Sequence, residues 1–217
     1  MRFLLIFLLK NINFEFIVYL LFIMLRLKLA TDKRWAFLVE NNLKEALIDH
    51  AFCEQKAASS ALSLIVTYPD YSELVSAMST VVLEEMDHFK RVHDIILDKG
   101  WELDCERRDE YVNDLRKFFT KTRDKKVNLI NRLLLSAMIE ARSCERFRVL
   151  AVNVKDKKLA DFYNELVKSE AGHYKLFLDF AKKYGADLMD VDNIWEEFLN
   201  FEADIIKNYG NAPLIHG

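Results

Sequence analysis

A chain of 217 residues with 52% hydrophobic content carries enough apolar surface for one substantial core, which excludes wholesale disorder. Five glycines and two prolines give too little punctuation for an all-β fold, so the class read from composition is all-α. The net charge of -3 gives no global signal for nucleic acid, so a polyanion would need a local basic patch; three cysteines, Cys53, Cys105 and Cys144, lack C-x-x-C spacing and fit free thiols in a reducing compartment.

The first stretch, "MRFLLIFLLKNINFEFIVYLLFIMLRLKL", is apolar without a clear amphipathic period. Lys10, Asn11, Asn13 and Glu15 cut it into apolar runs of seven and ten residues, whereas a membrane span needs about 20. Lys28 and Ala30 do not supply the small-residue pattern of a signal cleavage site. Residues 1–23 are therefore expected to be an extension ahead of a cytoplasmic domain at 24–217, with no stable membrane association.

Thr31 or Asp32 is placed to cap a first helix running to about Val66, with Leu47, Ala51, Glu54, Ala58, Leu62 and Ile65 facing inward. "TYPDY" breaks it, and Asp70 with Glu73 resembles a capping box for a second helix that ends at Gly100. A charged connection from Trp101 to Asp124, with a short helix over Tyr111 to Phe119, leads to a third helix at about 125–152. The fourth runs from about Asp156 to Tyr184 and stops at Gly185. A fifth, with Ile194, Phe198, Phe201 and Ile205, is expected to pack on the bundle. Hairpin, long crossover, hairpin is the connectivity of a ferritin-like four-helix bundle, here with an additional C-terminal helix.

The chain echoes itself: "IDHAFCE" at 48–54 with "IEARSCE" at 139–145, and "LEEMDHF" at 83–89 with "KSEAGHY" at 168–174. The second echo contains two E-x-x-H units, Glu85 with His88 and Glu170 with His173, each sharing one helical face. Glu84 is a rival at i−4 from His88, but its counterpart is Ser169, so the repeat selects Glu85.

Each hairpin should contribute one more carboxylate at the same height. Counted from Tyr68, Glu54 and Glu85 differ in height by roughly 5 Å, about one turn. Counted from Val154, Glu140 lies near Glu170, whereas Glu145 is offset by roughly 10 Å. Height and the apolar stripe Leu133, Ala137, Cys144, Phe147 favour Glu140, while the "CE" echo favours Glu145. The set with Glu140 is Glu54, Glu85, His88, Glu140, Glu170 and His173. Four buried carboxylates need compensation that two divalent cations supply, and mixed oxygen and nitrogen donors suit iron or manganese.

A single E-x-x-H is most often a solvated ion pair, and only the matched pair in matched hairpins lifts it above that. His50, one turn before Glu54, fits equally a supporting contact to the site and a satisfied core histidine. "RKFFTKTRDKK" at 116–126 is the densest basic run and a candidate for phosphate contact, as are, less strongly, Arg142, Arg146 and Arg148. Such runs are usually solvated connections.

"LIDHAFCEQKAASSALSLI", "LEEMDHFKRV", "LINRLLLSAMIEARSCERF" and "FYNELVKSEAGHYKLFL" together resemble the bacterial tRNA-(2-methylthio-N6-isopentenyladenosine) hydroxylases, from about Leu25 to the C-terminal "HG". The extension before Met24 departs from that pattern. The resemblance implies a non-haem di-iron monooxygenase with two iron ions and O2 as co-substrate. Its substrate would be the isopentenyl group of an adenosine beside the tRNA anticodon, and its electrons would come from a ferredoxin-like or flavin-linked partner. It also implies that Glu85 and Glu170 serve both irons, with Glu54 and His88 completing one and Glu140 and His173 the other. An iron-oxidising or storage protein without an organic substrate is the alternative. A rubrerythrin-like peroxidase is weakened by the missing C-x-x-C pairs.

Overall fold

A computed structural model describes residues 25–105 and 108–215. Among them are seven helices and no strand: α1 Arg34–Asn41, α2 Leu43–Thr67, α3 Ser72–Asp98, α4 Glu110–Arg116, α5 Lys125–Asn153, α6 Lys157–Gly185 and α7 Val191–Ile206. α2 pairs with α3 and α5 with α6, the crossover carries α4, and α7 packs on α4 and α6. This is the ferritin-like order of hairpin, crossover, hairpin and added helix. The expected extension at 1–23, Met24 and the tail residue His216 lie outside the described residues. Among those described, no helix is long and apolar enough to cross a membrane.

Local chemistry sets the helix ends. Asp124 accepts from the N–H groups of Lys126 and Val127 at 2.8 and 3.1 Å, Asp156 from Lys158 and Leu159, and Asp190 from Asn193, each meeting donors a first turn leaves open. Gly100, at φ +73°, ends α3: its N–H reaches Leu97 O and that of Trp101 reaches Ile96 O, the two bonds of a Schellman motif.

Several expectations need correction. The first helix is two helices, because Asn42 leaves the helical region (φ −132°, ψ 43°). Neither Thr31 nor Asp32 caps α1: its N-cap is Lys33 with no side-chain cap, Asp32 accepts from Arg34 N just ahead of it, and Thr31 turns to Glu145. Leu62 is 51% exposed while Ala61 is buried, so from Leu47 to Ala61 the inner stripe advances by alternating steps of four and three, the period of left-handed packing. No side chain caps α3 and Glu73 instead pairs with Lys183, so the capping box at Asp70 does not form.

Gly185 is the last residue of α6 rather than the residue beyond it. Its role is steric: a Cβ there would stand 2.3 Å from Val191 Cγ2, so its absence lets α7 start against α6. On α7, Phe198 is fully buried as expected, whereas Ile194, Phe201 and Ile205 only flank the buried Trp195, Leu199 and Ile206. Phe118 of the crossover stacks on Phe198 and Phe119 meets it edge-on, with ring centroids 4.7 and 4.9 Å away.

Arg142 and Arg146 are fully buried and so cannot touch phosphates. The Arg142 guanidinium binds Glu202 of α7 at 2.8 Å and Glu145 at 3.1 Å, and donates to Leu29 O at 3.0 Å. Tyr111 of α4 donates to the same Glu202 at 2.9 Å. Arg146 lies over the Trp35 ring and donates to the carbonyls of Leu214 and Ile215. One buried polar layer therefore joins the N-terminal segment, the crossover, α7 and the C-terminal segment to α5.

Candidate metal centre

The four long helices each turn acidic or imidazole groups into the middle of the bundle. Glu54 comes from α2, Glu85 and His88 from α3, Glu140 from α5, Glu170 and His173 from α6. All six are buried, at 0 to 6% exposure. They form two overlapping quartets, Glu54, Glu85, His88, Glu170 and Glu85, Glu140, Glu170, His173, and within each quartet one ligand atom per residue lies within 4.8 Å of the others. Glu85 and Glu170 belong to both.

His88 Nδ1 is 3.4 Å from Glu85 Oε2 and 3.6 Å from both Glu54 Oε2 and Glu170 Oε1. His173 Nδ1 is 2.8 Å from Glu85 Oε1. Both Glu85 oxygens, Glu170 Oε1 and the two Nδ1 atoms are buried and make no well-aligned hydrogen bond, the close approach of His173 Nδ1 to Glu85 Oε1 included. Orphaned atoms of this kind are rare and costly, and here they converge. With neutral imidazoles the six side chains carry four negative charges, which two divalent cations match.

Glu145, the alternative to Glu140, points the other way, into the Arg142 layer, and also accepts from the Thr31 N–H and hydroxyl at 2.9 and 2.6 Å. Glu84 has a part that its position in the repeat did not reveal: its Oε2 lies 2.7 Å from His173 Nε2 across the α3–α6 interface. A carboxylate on one ring nitrogen fixes the tautomer and leaves Nδ1 as a lone pair facing the cluster. His50 does the matching job for Glu54, its Nε2 lying 2.6 Å from Glu54 Oε1, with its ring stacked on Tyr163 at 5.5 Å. The supporting-contact reading of His50 is the one the geometry adopts.

Electrostatics agree with a pocket built for positive charge. Burial, reinforced by the Glu54 charge, pushes the Glu85 carboxyl up to about 8. Burial with the charges of Glu140 and Glu85 raises Glu170 well above the carboxylate range. Burial likewise opposes ionisation of Glu54, but the His50 hydrogen bond and the nearby His88 imidazole overcome it and hold Glu54 low. The imidazoles resist charge through burial, yet Glu54 and Glu85 lift His88 to about 10, and Glu85 with Glu140 lifts His173 to about 9. Without metal, protons take the place of cations.

A groove of about 740 Å³ runs between α2, α4 and α5 and ends on Glu140.

A ferritin-like bundle enclosing a carboxylate and histidine cluster fit for metal defines the class. Within it, the chain belongs to the tRNA-(MS[2]IO[6]A)-hydroxylase (MiaE) family, whose model matches residues 19–217. It is 36% identical over 178 residues, 82% of this chain and 85% of the relative, to the tRNA 2-(methylsulfanyl)-N(6)-isopentenyladenosine(37) hydroxylase of Pseudomonas putida. The protein of the same name from Salmonella typhimurium is 28% identical over 212 residues, 76% of this chain and 77% of that one. Among solved structures, protein 43 with aldehyde deformylating oxygenase activity from Synechococcus superposes with a TM-score of 0.78 at 27% identity, covering 88% of this chain and 95% of that one.

Proposed function

We infer that this chain is a cytoplasmic, O2-dependent di-iron monooxygenase that hydroxylates the isopentenyl side chain of (2-methylthio-)N6-isopentenyladenosine in tRNA, beside the anticodon. The observation that carries the metal part is the pair of quartets sharing Glu85 and Glu170, built from buried atoms that lack any other partner. Family membership supports the substrate. Glu54 and His88 would hold one ion, Glu140 and His173 the other, and Glu85 and Glu170 would serve both.

When bound, the irons supply O2 activation: one oxygen atom enters the C–H bond, and the other leaves as water with two protons and two electrons from a ferredoxin-like or flavin-linked donor. The chain's own residues prepare for that. Glu84 keeps a proton on His173 Nε2 and so keeps Nδ1 free, while His50 donates to Glu54 Oε1 and leaves Oε2 on the His88 side. His50, Phe147 and Tyr163, all buried, pack together beside Glu54 and fix the imidazole that holds it.

The test is direct. Protein reconstituted anaerobically with Fe(II) should bind about two irons per chain, and with reductant and O2 should convert isopentenyladenosine in tRNA to its hydroxylated form, read by mass spectrometry of the nucleosides. Iron oxidation without any change in the RNA would replace this reading with the iron-handling one.

A further inference from the structure

The geometry points to the groove between α2, α4 and α5 as the entrance for one alkylated nucleotide of an RNA, with Arg116 and Arg132 as its phosphate-binding rim. This rests on the function proposed above and adds the path and the residues that read the substrate.

The groove changes character along its length. At the inner end, beside Glu140, its walls are Ala57, Leu135, Ile139 and Phe177. In the middle they are neutral hydrogen-bonding groups: Ser59, Ser60 and Ser63 of α2, Asn113 of α4 and Ser136 of α5. Arg132, against Ser60 O and Thr67 Oγ1, lies at the end away from Glu140, and Arg116 stands one turn beyond Asn113 on α4, while Lys56 and Arg108 also line the groove. Arg132, Ser136 and Glu140 are successive turns of one α5 face, so the guanidinium root lies about 12 Å along the helix from the cluster carboxylate.

That sequence of surfaces selects its occupant. The inner end takes an alkyl group, the middle takes a flat ring bearing donors and acceptors, and the rim takes an anion. A nucleotide alkylated on its base has those three parts in that order. A fatty aldehyde would leave the serines and Asn113 unmatched. The volume of about 740 Å³ falls in the range of about 300–1,000 Å³ of small-ligand sites.

The rim cations are available for an anion. Arg132 is held across the mouth by Tyr68, 5.8 Å from its ring centroid, and by Ser60 O and Thr67 Oγ1 at 3.4 Å, all neutral partners. Arg116 donates to the neutral Asn113 Oδ1 at 3.3 Å. Asp109, an acidic residue on the wall, accepts from Val112 N at 2.9 Å as the N-cap of α4. The basic run ends at Lys126, about 21 Å along α5 from Glu140. Its first residue, Arg116, is part of the rim, whereas its last, Lys125 and Lys126, can meet RNA only beyond the target nucleotide.

The test measures binding by the whole chain. The probes are a labelled anticodon stem-loop carrying isopentenyladenosine and the same RNA with plain adenosine, followed by fluorescence anisotropy. The wild type should prefer the alkylated RNA. Ser60→Trp, on the exposed side of α2, should fill the groove and erase that preference while metal content and the unfolding midpoint stay at wild-type values. Should it misfold, Ser63→Trp one turn on tests the same point. Arg116→Gln and Arg132→Gln should each weaken both RNAs alike and flatten the plot of log Kd against log salt by about 0.7. In turnover each should raise KM more than it lowers kcat. Unchanged preference and salt slope in these variants overturn the groove assignment. The functional reading fails separately, if the reduced, metal-loaded wild type leaves the isopentenyl group unhydroxylated. Hydroxylation that survives Ser60→Trp refutes the groove alone.

Discussion

Glu140→Ala and Glu145→Ala remove the same carboxylate five residues apart on one helix and should have opposite consequences. Glu140→Ala leaves the quartet of Glu54, Glu85, His88 and Glu170 intact and reduces the other to three donors. Metal content should fall from about two toward one per chain, because three donors and one fewer negative charge hold the second ion weakly. The metal-free variant should hold its cluster protons less tightly, because Glu140 is one of the charges that raise Glu85, Glu170 and His173. Glu145→Ala takes one of two carboxylates from the fully buried Arg142, with Glu202 remaining at 2.8 Å, and strips the acceptor from Thr31. The loss of buried charged hydrogen bonds is worth about 1–3 kcal/mol, which for a chain of this size lowers Tm by roughly 2–12 °C. Its metal content should be unchanged. Metal analysis after anaerobic reconstitution and thermal unfolding of the metal-free proteins give both readouts. A Glu145→Ala protein that loses metal while Glu140→Ala keeps both ions would refute the reasoning.

Glu84→Ala should weaken metal binding without abolishing it. The usual cost of losing such a partner is about 10–100-fold in affinity, and the half-exposed Glu84 side chain places this one near the lower end; chelator competition measures it. In the metal-free cluster Glu85, His88 and His173 hold protons up to about 8, 10 and 9. Cations must displace those protons, so metal affinity should rise with pH through that range and fall as pH drops. Calorimetry in buffers of different ionisation enthalpy should show proton release, and pH-independent binding would contradict the protonated apo cluster. Gly185→Ala should destabilise by about 1–3 kcal/mol through overpacking, and adding Val191→Ala should recover most of the loss, because the clash is with Val191 Cγ2. A Gly185→Ala protein with wild-type Tm would remove the close approach.

The cluster was legible because its evidence is short-range. An E-x-x-H puts two groups on one helical face, and counting residues from a turn fixes heights well enough to separate Glu140 from Glu145. The contacts that escaped join residues on different helices. Glu84 meets His173 across α3 and α6, and Arg142 meets Glu202 from 60 residues away. A guanidinium reads as solvated until its partner is known, which is why Arg142 and Arg146 looked like candidates for phosphate. The error at Leu62 has a different source: a step of four residues was continued where the packed helix alternates four and three.

The buried polar layer also bears on the order in which the protein can mature. All six cluster residues have been synthesised by His173, but the carboxylate that neutralises Arg142 arrives with Glu202 and the carbonyls that satisfy Arg146 with Leu214 and Ile215. At translation rates of about 5–20 residues per second, the interval from His173 to Glu202 is roughly 1.5 to 6 seconds. Throughout it a nascent chain already owns every side chain of the cluster, while two arginines of the helix bearing Glu140 still lack these partners and stay hydrated. Lasting capture of metal therefore belongs after the last helix and the segment beyond it have closed over α5.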